Sequence, residues 1–374
     1  MNHINIVGPI NKVGFGTHAS SMLHAFKQLG TDVSLELIGQ KLDTCYEEEI
    51  VDSLSRVLNS KSPTIHIFHD EYLQKYIGEY IIAFTIFETD IVNRVAIDKI
   101  NEYSKMVFTT TPEHKELLLK QGVKKPVHVV HEGVDPDIFN SKFEGKLIET
   151  GKFTYMLLGK NEKRKNTDTV MAAFLEEMQY ENVALIVHSY CYRYGAQEHY
   201  KNWYDTNLSL LGYKAIGESD YFIVLSNSYS EIYLIKPILT RDELKSLYQS
   251  ADVGINYSSA EGWGLPEMEM MACGVPVIIS NVIGHKEYIR NLPVFRELII
   301  NPVGYEIAND GIYFHGDRGG WSKMGIDPLM VKLRYVFEHS GEYKGISKKL
   351  SNYILENYNW KLIAEQVTQI LTRG

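Results

Sequence analysis

Cysteine is scarce in this chain of 374 residues: Cys45, Cys191 and Cys273 stand far apart, without a CxxC pair or a Cys/His zinc pattern. Their spacing excludes a disulfide scaffold and favours a reducing environment. Long apolar runs are also missing. The longest, YIIAFTIF at 80–87, is as long as a strand and falls short of the ~18 residues that a membrane span requires. The opening MNHINIVGPI lacks the basic and apolar segments of a signal peptide. We therefore expect a cytoplasmic protein with at most peripheral membrane contact.

An excess of basic charge is absent as well. The chain has 38 Lys and Arg against 47 Asp and Glu, which gives a formal net charge of -9 at pH 7. Because nucleic-acid binding requires a basic face, we expect no nucleic-acid partner. Anionic small ligands are not excluded, since a few well-placed cations suffice to bind them.

The chain does contain two blocks in which short apolar runs alternate with helical patterns. Strands are predicted at 4–8, 32–39, 64–69, 81–87, 105–110 and 127–131 in the first block, and at 153–159, 182–190, 221–226, 232–239, 253–258 and 275–280 in the second. Helices are predicted at 20–30, 113–122, 167–178, 241–251 and 359–371.

This alternation predicts an α/β protein. Strands that are apolar on both faces and separated by helices are typical of parallel sheets covered on both sides. The polar stretch 139–152 interrupts the pattern and indicates a domain boundary. We predict two doubly wound, Rossmann-like domains, 1–148 and 149–356, that face each other across a cleft, and a C-terminal helix within 357–374 that crosses back to the first domain. A ligand would bind between them, at the carboxyl ends of the strands.

The segment SSAEGWGLPEMEMMACGVPVI at 258–278 is the most informative part of the chain. Glu261 stands in a glycine-rich loop, Pro266 suits the first turn of a helix, and Glu269 follows one turn later. Free N–H groups at such a helix start can bind phosphate or sugar oxygens, and carboxylates can accept hydrogen bonds from vicinal hydroxyls. Alternatively, Glu267 and Glu269 only complement the helix dipole.

A basic cluster follows the strand at 153–159. The segment MLLGKNEKRKN at 156–166 contains Lys160, Lys163, Arg164 and Lys165. Such a run is either a solvated face or, at the carboxyl end of a strand, a site for an anion. Fixed cations and loop amides at such a site would stabilise the negative charge of a bound anion, which is the usual role of a metal. We therefore predict no metal and no further cofactor.

A third motif, GPINKVGFGTHASSML at 8–23, places Gly14 and Gly16 between the first strand and its helix. Glycine lets the backbone approach a ligand closely. Gly14-x-Gly16-x-x-Ala19, with Glu36 about twenty residues later, also fits a loose dinucleotide fingerprint and leaves an NAD-dependent dehydrogenase open. Because the glycines come some six residues after the strand, we favour a glycine loop of another kind.

These motifs together resemble those of the retaining glycosyltransferases of family 4, which have the GT-B fold. The string EGWGLPEMEMMACGVPVI fits the family's two glutamates separated by seven residues, and differs mainly at Trp263, where Phe is more usual. The basic cluster and the glycine loop are similar to the family's phosphate-binding elements. Weaker similarity extends over 127–139, 241–258 and 356–371, so the resemblance covers nearly the whole chain.

The resemblance implies a role for each matching residue. Glu261 would contact the hydroxyls of the donor hexose, and Glu269 would hold the ribose. Lys160 and Lys165, with Arg164 as a substitute, would bind the diphosphate. The remaining donor contacts would come from Gly14, Phe15, Gly16, Gly262, Trp263, Gly264 and Leu265. Ile238, in IKPIL at 235–239, would pack against the base.

The acceptor side departs from the family, which commonly has a His after the strand at 81–87. The chain has IFETD there, so Glu88 and Asp90 become the candidates, together with His69 after the preceding strand. Asp135-Pro136-Asp137 fits the DXD pattern of metal-dependent glycosyltransferases, but two aspartates around a proline predict a structural turn.

The expected function is the transfer of a hexose from a UDP- or GDP-sugar to an acceptor hydroxyl in glycan biosynthesis, with retention of configuration and without a metal. The acceptor would be a glycan, a lipid-linked saccharide or a small metabolite. The alternatives are a nucleotide-sugar epimerase or phosphorylase on the same fold, or a non-catalytic protein that binds a nucleotide sugar or a glycan.

Overall fold

Two β-sheets organise the chain in the computed structural model, which describes residues 1–40, 46–190, 208–236, 239–344 and 347–373. The strands are β1 His3–Gly8, β2 Asp32–Leu37, β3 Thr64–His66, β4 Ile81–Thr85, β5 Ser104–Thr109, β6 Val127–Val129, β7 Phe153–Lys160, β8 Val183–Tyr190, β9 Lys214–Glu218, β10 Phe222–Ser226, β11 Glu231–Ile235, β12 Val253–Asn256, β13 Val277–Ser280, β14 Ile299–Ile300, β15 Gly304–Asn309 and β16 His315–Lys323.

Helices connect the strands and cover the sheets. They are α1 Gly14–Gln28, α2 Glu47–Ser55, α3 Arg94–Tyr103, α4 Pro112–Lys120, α5 Thr167–Met178, α6 Arg241–Tyr248, α7 Leu265–Ala272, α8 Lys286–Asn291, α9 Ile326–Glu338, α10 Ser340–Lys344, α11 Ser347–Asn357 and α12 Trp360–Arg373. Short 3₁₀ turns lie at Asp70–Tyr72, Lys163–Lys165, Ile283–His285 and Pro293–Leu298. Within the described ranges, no helix combines the length and the apolar character needed to cross a membrane.

The first sheet is parallel throughout, in the order β2-β1-β3-β4-β5-β6. The second has the order β14-β13-β12-β7-β8-β11-β10-β9, and its pairs are parallel except β11–β10 and β10–β9 at one edge, so β10 runs antiparallel to the other strands. Ile6 in β1 and Ile255 in β12 are fully buried, as expected for strands covered by helices on both faces. The predicted α/β class with two doubly wound sheets is confirmed.

Several boundaries differ from the prediction. The helix expected at 20–30 begins at Gly14, so the glycine motif forms the first turn of α1 and does not precede it. Glycine disfavours helices by about 1 kcal/mol, but packing of the buried face of α1 outweighs that local preference. The strand expected at 232–239 ends at Ile235. The strand β9 and the hairpin β15–β16 were not predicted, because β9 is exposed along its whole length and β16 begins with a glycine-rich, mostly exposed stretch.

The C-terminal helix α12 lies beside the first sheet. The Gln366 amide donates to the carbonyl of Val129 at 3.1 Å. The Trp360 ring lies 5.1 Å from the ring of His18 in α1. The chain therefore ends next to the helix that carries the N-terminal glycines.

Candidate active site

The glycine-rich loop 262–265 leads from β12 into α7, at the carboxyl edge of the second sheet. Gly264 has a φ of 111°, and the Glu267 carboxylate occupies the space where a Cβ would lie, so only glycine fits there. The Tyr288 hydroxyl donates to the carbonyl of Trp263 at 3.2 Å. These contacts hold the loop at the N-terminus of α7, where backbone N–H groups favour an anion.

Glu267 is a buried residue that the sequence did not single out for the site. Its carboxylate Oε1 lies 2.8 Å from Nε2 of His285, and both side chains are fully buried. His285 Nδ1 bonds the carbonyl of Ser280 at 2.8 Å. The interpretation of Glu267 as a mere complement to the helix dipole is therefore wrong: it forms a buried pair with a residue 18 positions later. An acidic residue between apolar ones in PEMEMM was the only local signal.

The basic cluster folds into the turn Lys163–Lys165, directly after β7. Asn166 follows in the left-handed region, with a φ of 51°. Its side-chain amide donates to the carbonyl of Tyr257 and to the hydroxyl of Ser259, both at 2.9 Å. These bonds tie the basic turn to the chain segment that leads to Glu261.

Glu261 lies at the centre of a buried charge network. It accepts hydrogen bonds from Lys165 and Ser258, and its Oε2 lies 3.3 Å from Nη1 of Arg164. Burial raises the pKa of the Glu261 carboxyl, but Lys165 and Arg164 lower it more, so the pKa lies well below its usual range. Glu261 is therefore ionised and acts as the counter-ion of both cations in the ligand-free protein.

Arg164 has two further acidic partners. Its Nη2 lies 3.0 Å from Glu162 and 3.2 Å from Glu88, the latter on the first-sheet side. Burial lowers the pKa of the Arg164 guanidinium, but Glu88 and Glu261 raise it above its ordinary value, so the cation is retained. The predicted acceptor-side residue Glu88 and the predicted phosphate-binding residue Arg164 thus meet across the cleft.

Lys160 lies at the edge of this network. Its ammonium group lies 3.6 Å from Glu162, and 40% of its side chain is exposed, compared with 8% for Lys165. Of the two lysines predicted to bind the diphosphate, Lys165 is the one in contact with Glu261, while Lys160 lies at the edge of the cluster.

Glu269 lies one turn into α7, as predicted, and is buried between two partners. The Tyr248 hydroxyl donates to its Oε2 at 3.1 Å, and Arg241 lies 3.3 Å from its Oε1. Burial raises the pKa of this carboxyl, with Arg241 opposing the shift. Ile238, predicted to contact the base, lies outside the described residues.

The N-terminal glycines have different surroundings. A Cβ on Gly16 would collide with Asn11, whereas a Cβ on Gly14 would meet open space. The Phe15 ring packs 4.8 Å from the His69 ring. Burial lowers the pKa of His69, which the nearby Glu88 opposes, so this predicted acceptor-side residue shares an electrostatic environment with Glu88.

Asp90 is held by the hairpin β15–β16. Its Oδ1 accepts from the Gly320 N–H at 2.7 Å, and its Oδ2 accepts from the Tyr305 hydroxyl at 2.8 Å. As predicted, Asp135 is a turn residue: it accepts from the Asp137 N–H at 2.9 Å and from the Tyr46 hydroxyl.

One group in the described part of the chain has the residue types of a metal site. Ligand atoms of Glu261, Glu267 and His285 all lie within 4.8 Å of one another. Glu261 already accepts from Lys165 and Arg164, while Nδ1 of His285 donates to the carbonyl of Ser280 and its Nε2 lies 2.8 Å from the Glu267 carboxylate. This donor set favours fixed side-chain cations as the groups that would face an anionic ligand.

The two sheets approach each other at this point. The Thr110 hydroxyl, after β5, donates to the carbonyl of Gly262 at 2.6 Å. The His131 ring stacks on Trp263 with centroids 4.9 Å apart. The glycine-rich loop, the basic turn and the acceptor-side loop therefore meet at one place between the two sheets.

Comparison with known proteins agrees with this geometry. Residues 230–302 match the family described as Glycosyl transferases group 1. The chain is 30% identical over 112 residues to a D-inositol 3-phosphate glycosyltransferase of Streptomyces bingchenggensis, over 25% of this chain and 24% of that protein. The chain spans about a quarter of the length of the curated relatives it matches.

Solved structures resemble the chain over its full length. Sucrose-phosphate synthase from Thermosynechococcus elongatus has a TM-score of 0.68 at 13% identity, over 100% of this chain and 99% of that one. Anabaena HepE in complex with UDP has a TM-score of 0.67 at 11% identity, over 100% of both chains. At these identities the likeness concerns the fold. The chain therefore has the GT-B fold, and its residues 230–302 match the family of group 1 glycosyl transferases.

Proposed function

We propose that this protein transfers a hexose from a nucleotide-diphosphate sugar to an acceptor hydroxyl, with retention of configuration and without a metal ion. The observation that carries the proposal is the convergence of Arg164 and Lys165 on Glu261, beside the N-terminus of α7. This arrangement offers two buried cations to a diphosphate and a carboxylate to a sugar, within one cleft.

These contacts support a role for each residue. When the donor binds, its diphosphate forms ion pairs with Arg164 and Lys165, which also keep contacts with Glu261. Glu261 accepts hydrogen bonds from the hexose hydroxyls. The bond between the anomeric carbon and the phosphate oxygen then breaks, and a bond to the acceptor oxygen forms on the same face. The acceptor proton passes to the leaving phosphate, whose negative charge the two cations and the loop amides stabilise.

The remaining assignments complete the donor site. Glu269 would hold the ribose, Lys160 would approach the diphosphate from the edge of the cluster, and Ile238 would pack on the base. We propose that 149–356 forms the donor domain, that 1–148 forms the acceptor side, and that 357–374 links back to it. Closure of the two halves would exclude water and protect the donor from hydrolysis.

The test is a screen of UDP- and GDP-sugars by thermal shift, followed by measurement of nucleotide release. UDP-sugars come first, since the structural neighbours include HepE in complex with UDP-glucose. We expect one donor to raise the melting temperature and to be consumed when a saccharide mixture is added. Magnetic resonance of the product determines the configuration, and an inverted product would contradict the retaining mechanism.

The other candidates predict different results in the same screen. An epimerase would convert the donor without an acceptor, and a phosphorylase would require inorganic phosphate. A binding protein would show a thermal shift without turnover. A dehydrogenase would bind NAD.

A further inference from the structure

The hairpin β15–β16 spans the cleft beside the candidate active site. Its inner face packs Phe314 and Trp321 against Ala260, the residue before Glu261. The Ser322 N–H donates to the carbonyl of Ser259 at 3.1 Å, which fixes the base of the hairpin to the same segment. The hairpin is therefore anchored directly on the loop that carries the sugar-binding glutamate.

The same end of the hairpin also contacts the first-sheet side. Asp90 accepts from Gly320 and Tyr305, and its own N–H donates back to the carbonyl of Gly320 at 3.3 Å. Arg318 forms an ion pair of 3.0 Å with Glu71. Asp90 lies two residues after Glu88, the partner of Arg164, so at most about 7 Å of chain separates their Cα atoms. Tyr305 is thus close to the acceptor side of the cleft.

The outer face of the hairpin presents the aromatic ring of Tyr305, which packs on the backbone of the neighbouring strand. Tyr305 packs directly on Gly320, where an added Cβ would collide with its ring, and 59% of the residue is nevertheless exposed. Its hydroxyl is fixed by Asp90, which limits rotation of the ring. Exposed apolar surface rimmed by polar groups is typical of a ligand-binding surface.

We propose that Tyr305 forms a second acceptor subsite, on which a sugar ring stacks beyond the unit that receives the hexose. This inference rests on the proposed function, and it narrows the acceptor to a saccharide of at least two units. The apolar face of a sugar ring would lie on Tyr305, and its hydroxyls would meet Asp90, Glu71 and Arg318. Each oxygen of Asp90 has a second lone pair with which to accept such a bond.

The position of the ring favours a saccharide over a membrane or a protein as the occupant. The Tyr305 hydroxyl is bound by Asp90, which lies two residues after Glu88, so a chain growing out of the cleft would pass over the ring. A membrane would be expected to contact both Tyr305 and Tyr313, which is 54% exposed at the turn of the same hairpin, whereas a saccharide held at Asp90 would contact Tyr305. Tyr313 is therefore a matched control.

The experiment measures binding of the full chain, in the presence of UDP, to an array of defined saccharides of one to four units. We expect longer saccharides to bind more tightly than their single units. Tyr305→Ala should lose about tenfold in affinity for the longer ones, while Tyr305→Phe keeps the ring and most of the affinity. Tyr313→Ala should bind like the wild type. The thermal shift caused by UDP should be the same in all four proteins, which shows that the donor site is intact.

Two results would overturn the subsite. One is an array on which no saccharide distinguishes the wild type from Tyr305→Ala. The other is an equal loss in Tyr313→Ala, or binding to anionic lipid vesicles that depends on both tyrosines, which would make the face a membrane-docking surface. Failure of the proposed function gives a different pattern: the wild type would show no thermal shift with UDP or UDP-sugars, whatever it binds on the array.

Discussion

Replacing Glu261 by glutamine should destabilise the ligand-free protein. The side chain keeps its shape, but Arg164 and Lys165 lose the charge of a counter-ion whose side chain is only 6% exposed. Removing one partner of a buried ion pair costs about 3–5 kcal/mol. Because Arg164 keeps Glu88 and Glu162, we expect the lower end, about 3 kcal/mol. For a domain of about 200 residues, this corresponds to a fall in melting temperature of roughly 6–12 °C.

The same substitution should strengthen the binding of UDP. A carboxylate and a phosphate some 4–6 Å apart repel each other by roughly 3–4 kcal/mol at an effective dielectric constant of 20. Relaxation of the neighbouring acids and screening by water reduce this value, so we expect about tenfold tighter binding, or about 1.4 kcal/mol. UDP should therefore restore part of the lost thermal stability. Sugar transfer should fall by at least about 100-fold, because the contact with the hexose is lost.

The assay combines thermal unfolding with calorimetric titration of UDP. Glu177→Gln is the control, because it removes the same charge from an ion pair of 2.7 Å with Arg334, a residue of α9 outside the candidate site. The control should leave the affinity for UDP unchanged. Weaker UDP binding in Glu261→Gln would refute the counter-ion role, and undiminished turnover would refute the role in sugar binding.

Three further predictions concern other parts of the molecule. Glu269→Ala should weaken UDP binding about tenfold through loss of the ribose contact, and unchanged affinity in calorimetry would count against that contact. Burial raises the pKa of Asp70 to about 7, so the folded protein holds this proton more firmly than the unfolded chain, and stability falls as the pH rises from about 4 to 7. Asp70→Asn should reduce this loss and unfold at a higher temperature than the wild type at pH 8; equal melting temperatures there would contradict the shift. Transfer should persist in excess EDTA, because Arg164 and Lys165 supply the positive charge. A loss of transfer activity in EDTA that added Mn²⁺ reverses would contradict the metal-independent mechanism. It would indicate a metal site at Glu261, Glu267 and His285.

The sequence by itself determined the α/β class and the position of the main motifs. Apolar runs and helix caps are local signals, so the helix over 167–178 was predicted at its observed bounds. The loop before α7 and the start of that helix were also predictable, because glycine and proline each favour particular backbone conformations.

Only the tertiary structure decided how the charged residues pair. Glu261 meets Lys165 across 96 positions of the chain, and Asp90 meets Gly320 across 230. The position of Glu267 in the first turn of α7 indicated only an interaction with the helix dipole, whereas the fold places it against His285. The hairpin carrying Tyr305 gave little strand signal, because glycines that disfavour strands are the residues that let it pack against Asp90. Such pairings depend on which loops the two sheets bring together. Local sequence patterns do not predict contacts between residues so far apart in the chain.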